Sequence, residues 1–306
     1  MDVDALDGVT VVLDGVTSDD DENLRWCRRA PCVVVGRVPA GSEPPAAPDL
    51  VVVGDDAEDE LAVIVGSIRS NPSASRVLAD VLRAVPDVDV PAALTVESLA
   101  YSTLLAGPEF AQWLDREPRR QPRSPEGPAV RMHRDGDVLG IALARPENRN
   151  AFSAAMRDAL HEALTVAVVD TTIERVVVSG DGPVFSSGGD LTEFGTAPNV
   201  VRAHEVRTQR SVGAVIAELG GRATVRVHGS CVGAGVELPA FAHHVVAAPG
   251  TTFRLPEVGM GLIPGAGGTV SVTRRIGPQE TARLAILGET IDADRALALG
   301  LIDEIS

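Results

Sequence analysis

Two glycine-rich turns between a strand and a helix constrain this chain more than any other feature. In each, a β-branched run ends, glycines follow and a helical pattern begins: VVVSG…FSSGGDL at 176–191 and VRVHGSCVGAGVEL at 225–238. Glycine lets the backbone turn tightly, and the first N–H groups of a helix have no partners within it. Two such turns converging on one point would form an oxyanion hole.

Two glutamates accompany these turns in apolar surroundings. Glu237 belongs to the second turn, and Glu257 lies in the apolar, glycine-rich stretch FRLPEVGMGLIPGAGGT at 253–269. A carboxylate is costly in such a setting unless a specific role requires it. For Glu237 alone, a favourable position in the first turn of a helix is the simpler interpretation. Together with Glu257 and both turns, it indicates proton transfer next to a carbonyl group.

The composition excludes several kinds of chemistry. All 27 basic residues are arginine, so a phosphate-binding lysine and a lysine Schiff base are excluded. The net charge of −16 argues against a nucleic-acid partner. The histidines form no HExxH and the cysteines no CxxC, so we expect neither a metal site nor a disulfide framework. A dinucleotide site is disfavoured, because Leu238 stands where the third glycine belongs.

The expected location and domain organisation follow from patterning along the chain. No apolar run approaches the length of a membrane span and the N-terminus is acidic, so we expect a soluble, cytoplasmic protein without a membrane partner. Residues 1–56 predict an α/β extension of unknown role, with strands at 9–15, 31–37 and 49–55. Residues 57–120 predict a helical module. The boundary is REPRRQPRSPEGP at 116–128, which is rich in proline and arginine.

Strand and helix patterns alternate over residues 129–306, which predicts an α/β fold with a parallel component. Asp135-Gly136 predicts a hairpin turn, and Ser153 predicts the start of a helix. We further expect FSSGGDLTEF to enter a helix, and one long helix over VVRAHEVRTQRSVGAVIAEL at 200–219.

Residues 129–306 resemble the crotonase superfamily, the enoyl-CoA hydratases and isomerases. The matching stretches are RPENRNAFSAAM, FSSGGDLTEF, HGSCVGAGVELPAF and FRLPEVGMGLIPGAGGTVSVTRRIG, followed by AILGETIDADRALALGLIDEI, which resembles the segment that closes the core of the family. The resemblance implies an α/β fold with a crotonase-like ββα spiral core and an acyl-CoA substrate. It also implies a homo-oligomer, a trimer or hexamer, and no cofactor other than the coenzyme A of the substrate.

The resemblance also assigns roles to single residues. It gives the oxyanion hole to the backbone N–H groups of Gly189 and Ala234, the latter replacing a common glycine, and it places Glu237 and Glu257 on the two catalytic acids of the hydratases. Further residues implied in substrate binding are Arg149, Gly188, Asp190 and Gly233. The leading hypothesis is therefore an enoyl-CoA hydratase. The alternatives are another reaction of the superfamily, namely an isomerase, a decarboxylase or a thioester hydrolase, or a catalytically inactive scaffold.

Residues 60–120 resemble the helical module with which the family normally ends. The similar stretches are IVGSIRSNPSASRVLADVLRA at 64–84 and PAALTVESLAYSTLLAGPEFAQWLDREPRR at 91–120. This order predicts a circular permutation, with the helical module placed before the core. The alternative is an unrelated helical extension. Candidates to hold the anionic coenzyme A are Arg116, Arg119, Arg120 and Arg149, although charge alone favours a solvated linker for the first three.

Overall fold

The computed structural model describes residues 2–6, 10–14, 21–42, 44–46, 48–54, 57–118 and 127–306. The strands are β1 Asp2–Leu6, β2 Thr10–Asp14, β3 Val33–Val38, β4 Leu50–Val53, β5 Val130–Asp135, β6 Val138–Leu143, β7 Arg175–Gly180, β8 Ala223–Val227, β9 Ser230–Val232, β10 His244–Ala247, β11 Thr252–Arg254, β12 Thr290–Asp292 and β13 Glu304–Ile305. The α-helices are α1 Asp21–Arg29, α2 Ala57–Ser70, α3 Pro72–Ala84, α4 Val90–Leu105, α5 Pro108–Arg116, α6 Ala154–Val169, α7 Val200–Gln209, α8 Val212–Leu219, α9 Ala234–Glu237, α10 Gly268–Leu287 and α11 Ala293–Leu299.

Two sheets form the C-terminal part of the chain. The larger has the order β13-β10-β8-β7-β6-β5 and is parallel except for the β5–β6 hairpin. The smaller has the order β12-β11-β9, and β9 follows β8 after only a short turn. That turn contains Gly229, whose φ is +61° and where a Cβ would collide with the Pro183 carbonyl oxygen. Glycine is therefore required where the chain passes from one sheet to the other.

Some local predictions for this part are confirmed and others are wrong. The β5–β6 hairpin forms at the predicted turn, and the Ser153 hydroxyl caps α6 by accepting from Met156 N at 3.2 Å. The predicted long helix at 200–219 is instead α7 and α8, because Ser211 caps a new helix by accepting from Ala214 N at 3.2 Å. The helix expected after FSSGGD is also wrong, since Asp190 Oδ1 accepts from Thr192 N and stabilises a turn there.

The N-terminal sheet has the order β1-β2-β3-β4, with β2, β3 and β4 parallel. The strands predicted at 9–15, 31–37 and 49–55 correspond to β2, β3 and β4, although residues 9, 15 and 55 lie outside the described residues, and β1 is an addition. A buried ion pair between Asp49 and Arg83 joins this sheet to α3, and Arg83 also donates to the carbonyl oxygens of Ala30 and Cys32. The sheet is thus attached to the helices that follow it.

Helices α2–α5 pack directly on the C-terminal part of the chain. Helices α2, α3 and α4 contact α10, α4 also contacts α7 and α8, and α5 contacts the 3₁₀ turn Glu257–Met260. The side chains of Ile64, Ile68 and Leu78 are fully buried and belong to the same hydrophobic core as the C-terminal sheets. In the part of the chain that the structure describes, no helix has the length and hydropathy needed to cross a membrane.

This packing predicts that the C-terminal part depends on the helices. A fragment beginning at Gly127 would lose α2–α5 and expose the apolar surface of α10 that they cover, so we expect poor solubility and loss of cooperative unfolding. Expression yield and thermal unfolding followed by circular dichroism measure both effects. A soluble fragment that unfolds cooperatively near the midpoint of the whole chain would contradict the dependence.

Candidate active site

A cavity of about 360 Å³ lies where the two glycine turns meet helices α4 and α7. Its lining includes Gly189 from the first turn, Ala234 and Glu237 from the second, and Glu257 from the following 3₁₀ turn. The structure therefore brings together all four residues to which the sequence assigned the catalytic centre.

The backbone N–H groups of Gly189 and Ala234 are available for an additional acceptor. Neighbouring groups of the first turn are bonded, since Phe152 N donates to Gly188 O at 2.7 Å and Asp190 N donates to Phe152 O at 3.3 Å. Ala234 is the first residue of α9, a position whose N–H has no partner within the helix. Among the described residues, no acceptor bonds either N–H. Both residues line the cavity and can offer it a donor.

Glu237 is almost fully buried, and its carboxylate is held by the backbone. Its Oε2 accepts from Ala266 N at 2.7 Å and from Gly268 N at 2.8 Å, at the start of α10. Burial raises the pKa of Glu237 to about 7, against the effect of these two hydrogen bonds, which favour the charged form. The group can therefore take up or release a proton near neutral pH.

Glu257 faces the same point from the other side but is held differently. A Cβ on Gly233 would collide with Glu257 Oε1 and lie 3.8 Å from Glu237 Oε1, so both carboxyl groups approach one glycine. Glu257 Oε2 is buried and has no hydrogen-bond partner among the described residues. Burial, and secondly the charge of Glu237, raise the pKa of Glu257 well above its usual value. The two acids therefore have different environments: one accepts backbone N–H groups and the other favours its protonated form.

A third buried carboxyl group, Glu97, lines the cavity from α4 and was missed by the sequence analysis. Its Oε1 accepts from Gly267 N at 2.8 Å, and its Oε2 accepts from Thr269 N at 3.0 Å and from Thr269 Oγ1 at 2.7 Å. A single acid in a helical pattern is usually solvated, which concealed this residue. The signal that could have identified it is its position between Leu94 and Tyr101, on the apolar stripe of the helix.

Tyr101 and Arg207, which also line the cavity, were likewise missed. The Arg207 guanidinium lies 4.7 Å from the centre of the Tyr101 ring and donates to Ser98 O and to the Ser98 and Ser102 hydroxyls. Burial lowers the pKa of Arg207 and raises that of Tyr101. These contacts bind α7 to α4 at the cavity wall.

An aromatic wall formed by Phe110, Trp113 and Phe194 closes one side of the cavity region. Phe110 and Trp113 of α5 stack at 5.9 Å, and Phe194 lies 6.4 Å and 6.1 Å from them. The Phe194 ring also contacts the first glycine turn, since a Cβ on Gly189 would lie 2.8 Å from Phe194 Cε1. A residue larger than glycine at 189 would therefore displace this ring.

The residues predicted to bind substrate occupy different positions. Asp190 lines the cavity, and Asn148 Nδ2 donates to its Oδ2 at 3.2 Å. Gly188 and Gly233 lie beside the cavity lining and have positive φ, so they shape the two turns through their backbones. Arg149 is exposed and outside the lining, and its role in binding stays a prediction. The same holds for the exposed Arg116, while Arg119 and Arg120 lie outside the described residues.

The fold and the site together define the class of protein. Residues 133–306 match the enoyl-CoA hydratase/isomerase family, to which this chain belongs. The chain is 33% identical over 174 residues to the 2,3-dehydroadipyl-CoA hydratase of Escherichia coli (strain K12), covering 57% of this chain and 68% of that one. It is 30% identical over 177 residues to the trans-2-decenoyl-[acyl-carrier-protein] isomerase of Streptococcus mutans, covering 56% of this chain and 66% of that one.

Solved structures support the same family. An enoyl-CoA hydratase of Mycobacterium smegmatis superposes with a TM-score of 0.54 at 30% sequence identity, covering 58% of this chain and 70% of that one. The family match begins at residue 133, so helices α2–α5 lie outside it. The circular permutation therefore stays a prediction.

The burial of Glu257 predicts a pH-dependent stability. An acid whose pKa is raised on folding binds more protons in the folded than in the unfolded chain, so it lowers stability as pH rises above about 4.5. Glu257→Gln carries no charge and should stabilise the protein at pH 8, by roughly 1.4 kcal/mol per unit of raised pKa, and little at pH 5. Urea unfolding at both pH values measures this difference.

The matched control is Glu205→Gln, which removes an exposed carboxylate on α7 that pairs with Arg202. It should change stability by only a few tenths of a kcal/mol at either pH. An equal stabilising effect of Glu257→Gln at pH 5 and pH 8 would show that the buried charge is not its cause.

Proposed function

We propose that this protein is an enoyl-CoA hydratase, which adds water across the 2,3-double bond of an acyl-CoA thioester. The observation that carries the proposal is the placement of two buried carboxyl groups at one glycine, in a cavity with two available backbone N–H groups. The family supplies the substrate class. The isomerase reaction of the Streptococcus mutans relative is the second candidate, and the two glutamates in unlike environments favour hydration over it.

The thioester oxygen would accept hydrogen bonds from Gly189 N and Ala234 N. When water adds to the β-carbon, negative charge moves through the double bond onto this oxygen and produces an enolate. Two fixed donors stabilise that charge without reorganising, and each contributes a few kcal/mol to the transition state. This is the oxyanion hole that the two glycine turns form under the proposal.

The two glutamates would divide the proton transfers. Glu237, held as a carboxylate by Ala266 N and Gly268 N, accepts a proton from the water whose oxygen bonds to the β-carbon. Glu257, whose pKa is raised by burial, donates its proton to the α-carbon as the enolate collapses. One molecule of water is consumed and no redox change occurs. A proton passed back from Glu237 to Glu257 restores both acids.

The charges of the cavity must also admit an anionic substrate. Acidic side chains outnumber basic ones in its lining, and the cations there are Arg157, Arg207 and Arg210. Arg157 and Arg210 pair with the surface acids Asp158 and Glu162. The acid of each pair is exposed, and pairs that reach solvent contribute little stability, so both arginines can exchange partners for the phosphates of coenzyme A. We expect no further cofactor; the homo-oligomer and the cytoplasmic location stay predictions.

Turnover of crotonyl-CoA tests the proposal. Hydration removes the conjugation between the double bond and the thioester, so we expect a loss of its ultraviolet absorbance and a 3-hydroxyacyl-CoA product by mass spectrometry. An isomerase would change the absorbance without adding the mass of water. A catalytically inactive scaffold would change neither, and that result would reject the proposal.

The two-acid mechanism predicts the effects of removing either acid. Glu237→Gln and Glu257→Gln should each lower kcat by about 10²-fold or more, because each amide keeps the shape but cannot transfer a proton. Activity is measured from the loss of crotonyl-CoA absorbance, and folding is measured by circular dichroism. Glu205→Gln, which changes an exposed carboxylate that does not line the cavity, serves as the control with unchanged activity. Near-wild-type hydration by either variant would remove that acid from the mechanism.

Position 189 allows the N–H donor to be separated from the size of the side chain. Gly189→Ala adds a Cβ against the Phe194 ring but keeps the N–H, so we expect a modest loss of activity. Gly189→Pro adds the same steric conflict and removes the N–H, and should lower kcat by about 10²–10³-fold. Steady-state kinetics of both folded variants separate the two effects. An equal loss of kcat in both would mean that the contact with the Phe194 ring, and not the N–H donor, causes the loss.

A further inference from the structure

Four successive backbone N–H groups at the start of α10 are shared alternately by two glutamates. Ala266 N and Gly268 N donate to Glu237 Oε2, and Gly267 N and Thr269 N donate to Glu97. Glu237 comes from the C-terminal core and Glu97 from α4, some 170 residues away from Gly267 in the chain. Two carboxyl groups from distant parts of the sequence therefore accept hydrogen bonds from the same turn.

We propose that Glu97 is a positioning residue for hydration: by holding the alternate N–H groups of the turn 266–269, it fixes the N–H groups that orient Glu237. The proposal rests on the proposed function for its catalytic consequence. It assigns to α4 a part in the catalytic centre, beyond covering the apolar surface of α10.

The contacts of Glu97 leave it little freedom. Both of its oxygens are used, since Oε1 accepts from Gly267 N while Oε2 accepts from the N–H and the hydroxyl of Thr269. The side chain is 2% exposed. Gly267 has φ +110°, and a Cβ there would collide with the Phe241 ring, so the turn has a conformation that requires glycine. A shift of this turn would move both N–H donors of Glu237.

Electrostatic coupling accompanies the shared turn. Burial, and secondly the charge of Glu237, raise the pKa of Glu97 to about 8. The titratable and charged groups that face this pair are Glu257, Tyr101 on α4 and Arg207 on α7. The charge of Arg207 interacts with Glu97 and Tyr101, and the charge of Arg254 on β11 interacts with Glu257. Glu97 holds its proton to a higher pH than Glu237, so near neutral pH it acts on Glu237 through the shared turn and not through a negative charge.

Two substitutions remove the hydrogen bonds from Glu97 to the turn in full or in part. Glu97→Ala removes every acceptor, so the turn and Glu237 lose their positions. Glu97→Gln keeps one acceptor oxygen, so one of the two backbone N–H groups keeps its acceptor while the other faces the new NH2 group, and the turn is held more weakly. The matched control is Glu109, which caps α3 by accepting from Ser73 N at 2.7 Å and Ala74 N at 3.0 Å, away from Glu237.

The experiment measures crotonyl-CoA kinetics against pH and thermal unfolding for these variants. We expect Glu97→Ala to lower kcat by about 10²-fold with little change in KM, which corresponds to a displacement on the order of 1 Å. It should also move the acid limb of the pH profile to higher pH, because Glu237 then loses N–H donors that favour its charged form. Glu97→Gln should have the same effects to a smaller extent. Glu109→Gln and Glu109→Ala should lower the unfolding temperature and leave kcat and the acid limb unchanged.

A kcat and an acid limb that are unchanged in Glu97→Ala, at full folding, would overturn the proposal, as would equal losses of kcat in the Glu97 and Glu109 variants. If the wild-type chain does not hydrate crotonyl-CoA, the proposed function fails separately. The coupling is then decided by titrating the glutamate carboxyl carbons by ¹³C NMR, with Glu237 assigned from Glu237→Gln. Glu97→Ala displaces the N–H donors of Glu237 and must raise its pKa, and Glu109→Ala must not; no difference between them overturns the proposal.

Discussion

The burial of three carboxyl groups around one cavity is the constraint on which the rest of this structure depends. Glu97, Glu237 and Glu257 lie within one enclosed space, where each negative charge raises the cost of the others. Two of these carboxyl groups, Glu237 and Glu97, accept hydrogen bonds from the N–H groups at the start of α10, which a helix leaves without internal partners. The fold leaves Glu257 Oε2 without a described partner. Under the proposed mechanism, this difference in environment makes Glu237 the base and Glu257 the acid.

Close backbone approach is the second requirement, and glycine meets it. A Cβ on Gly233 would collide with Glu257, and one on Gly268 would lie 2.7 Å from Glu237 Cγ. Tyr101 of α4 similarly packs on Gly265, where a side chain would collide with its ring. The glycine-rich stretch around 265–268 therefore lets α4 and the core reach the same turn. This explains why residues so far apart in sequence can form one cavity.

Sequence reasoning identified the part of the site that local patterns encode. The glycine turns and the apolar setting of Glu257 indicated a site with Glu237 and Glu257, the family resemblance added Gly189 and Ala234, and all four line one cavity in the structure. Glu97 was missed because its partners are tertiary: nothing near VESLAY in the sequence shows the N–H groups of α10. The break between α7 and α8 was missed because continuous apolar spacing concealed the cap at Ser211. Whether a serine caps a new helix or the existing helix continues depends on tertiary packing, and the apolar spacing of the sequence does not reveal that packing.

The central claim is that the core and helix α4 build one cavity for an acyl-CoA thioester. A crystal structure with a bound 3-oxoacyl-CoA, which has no double bond to hydrate, tests it most directly. The account predicts the thioester oxygen at about 2.7–3.1 Å from both Gly189 N and Ala234 N, with the β-carbon beside Glu237 and Glu97 still bonded to the turn at Gly267. A thioester bound elsewhere, or α4 withdrawn from the cavity in the complex, would contradict it.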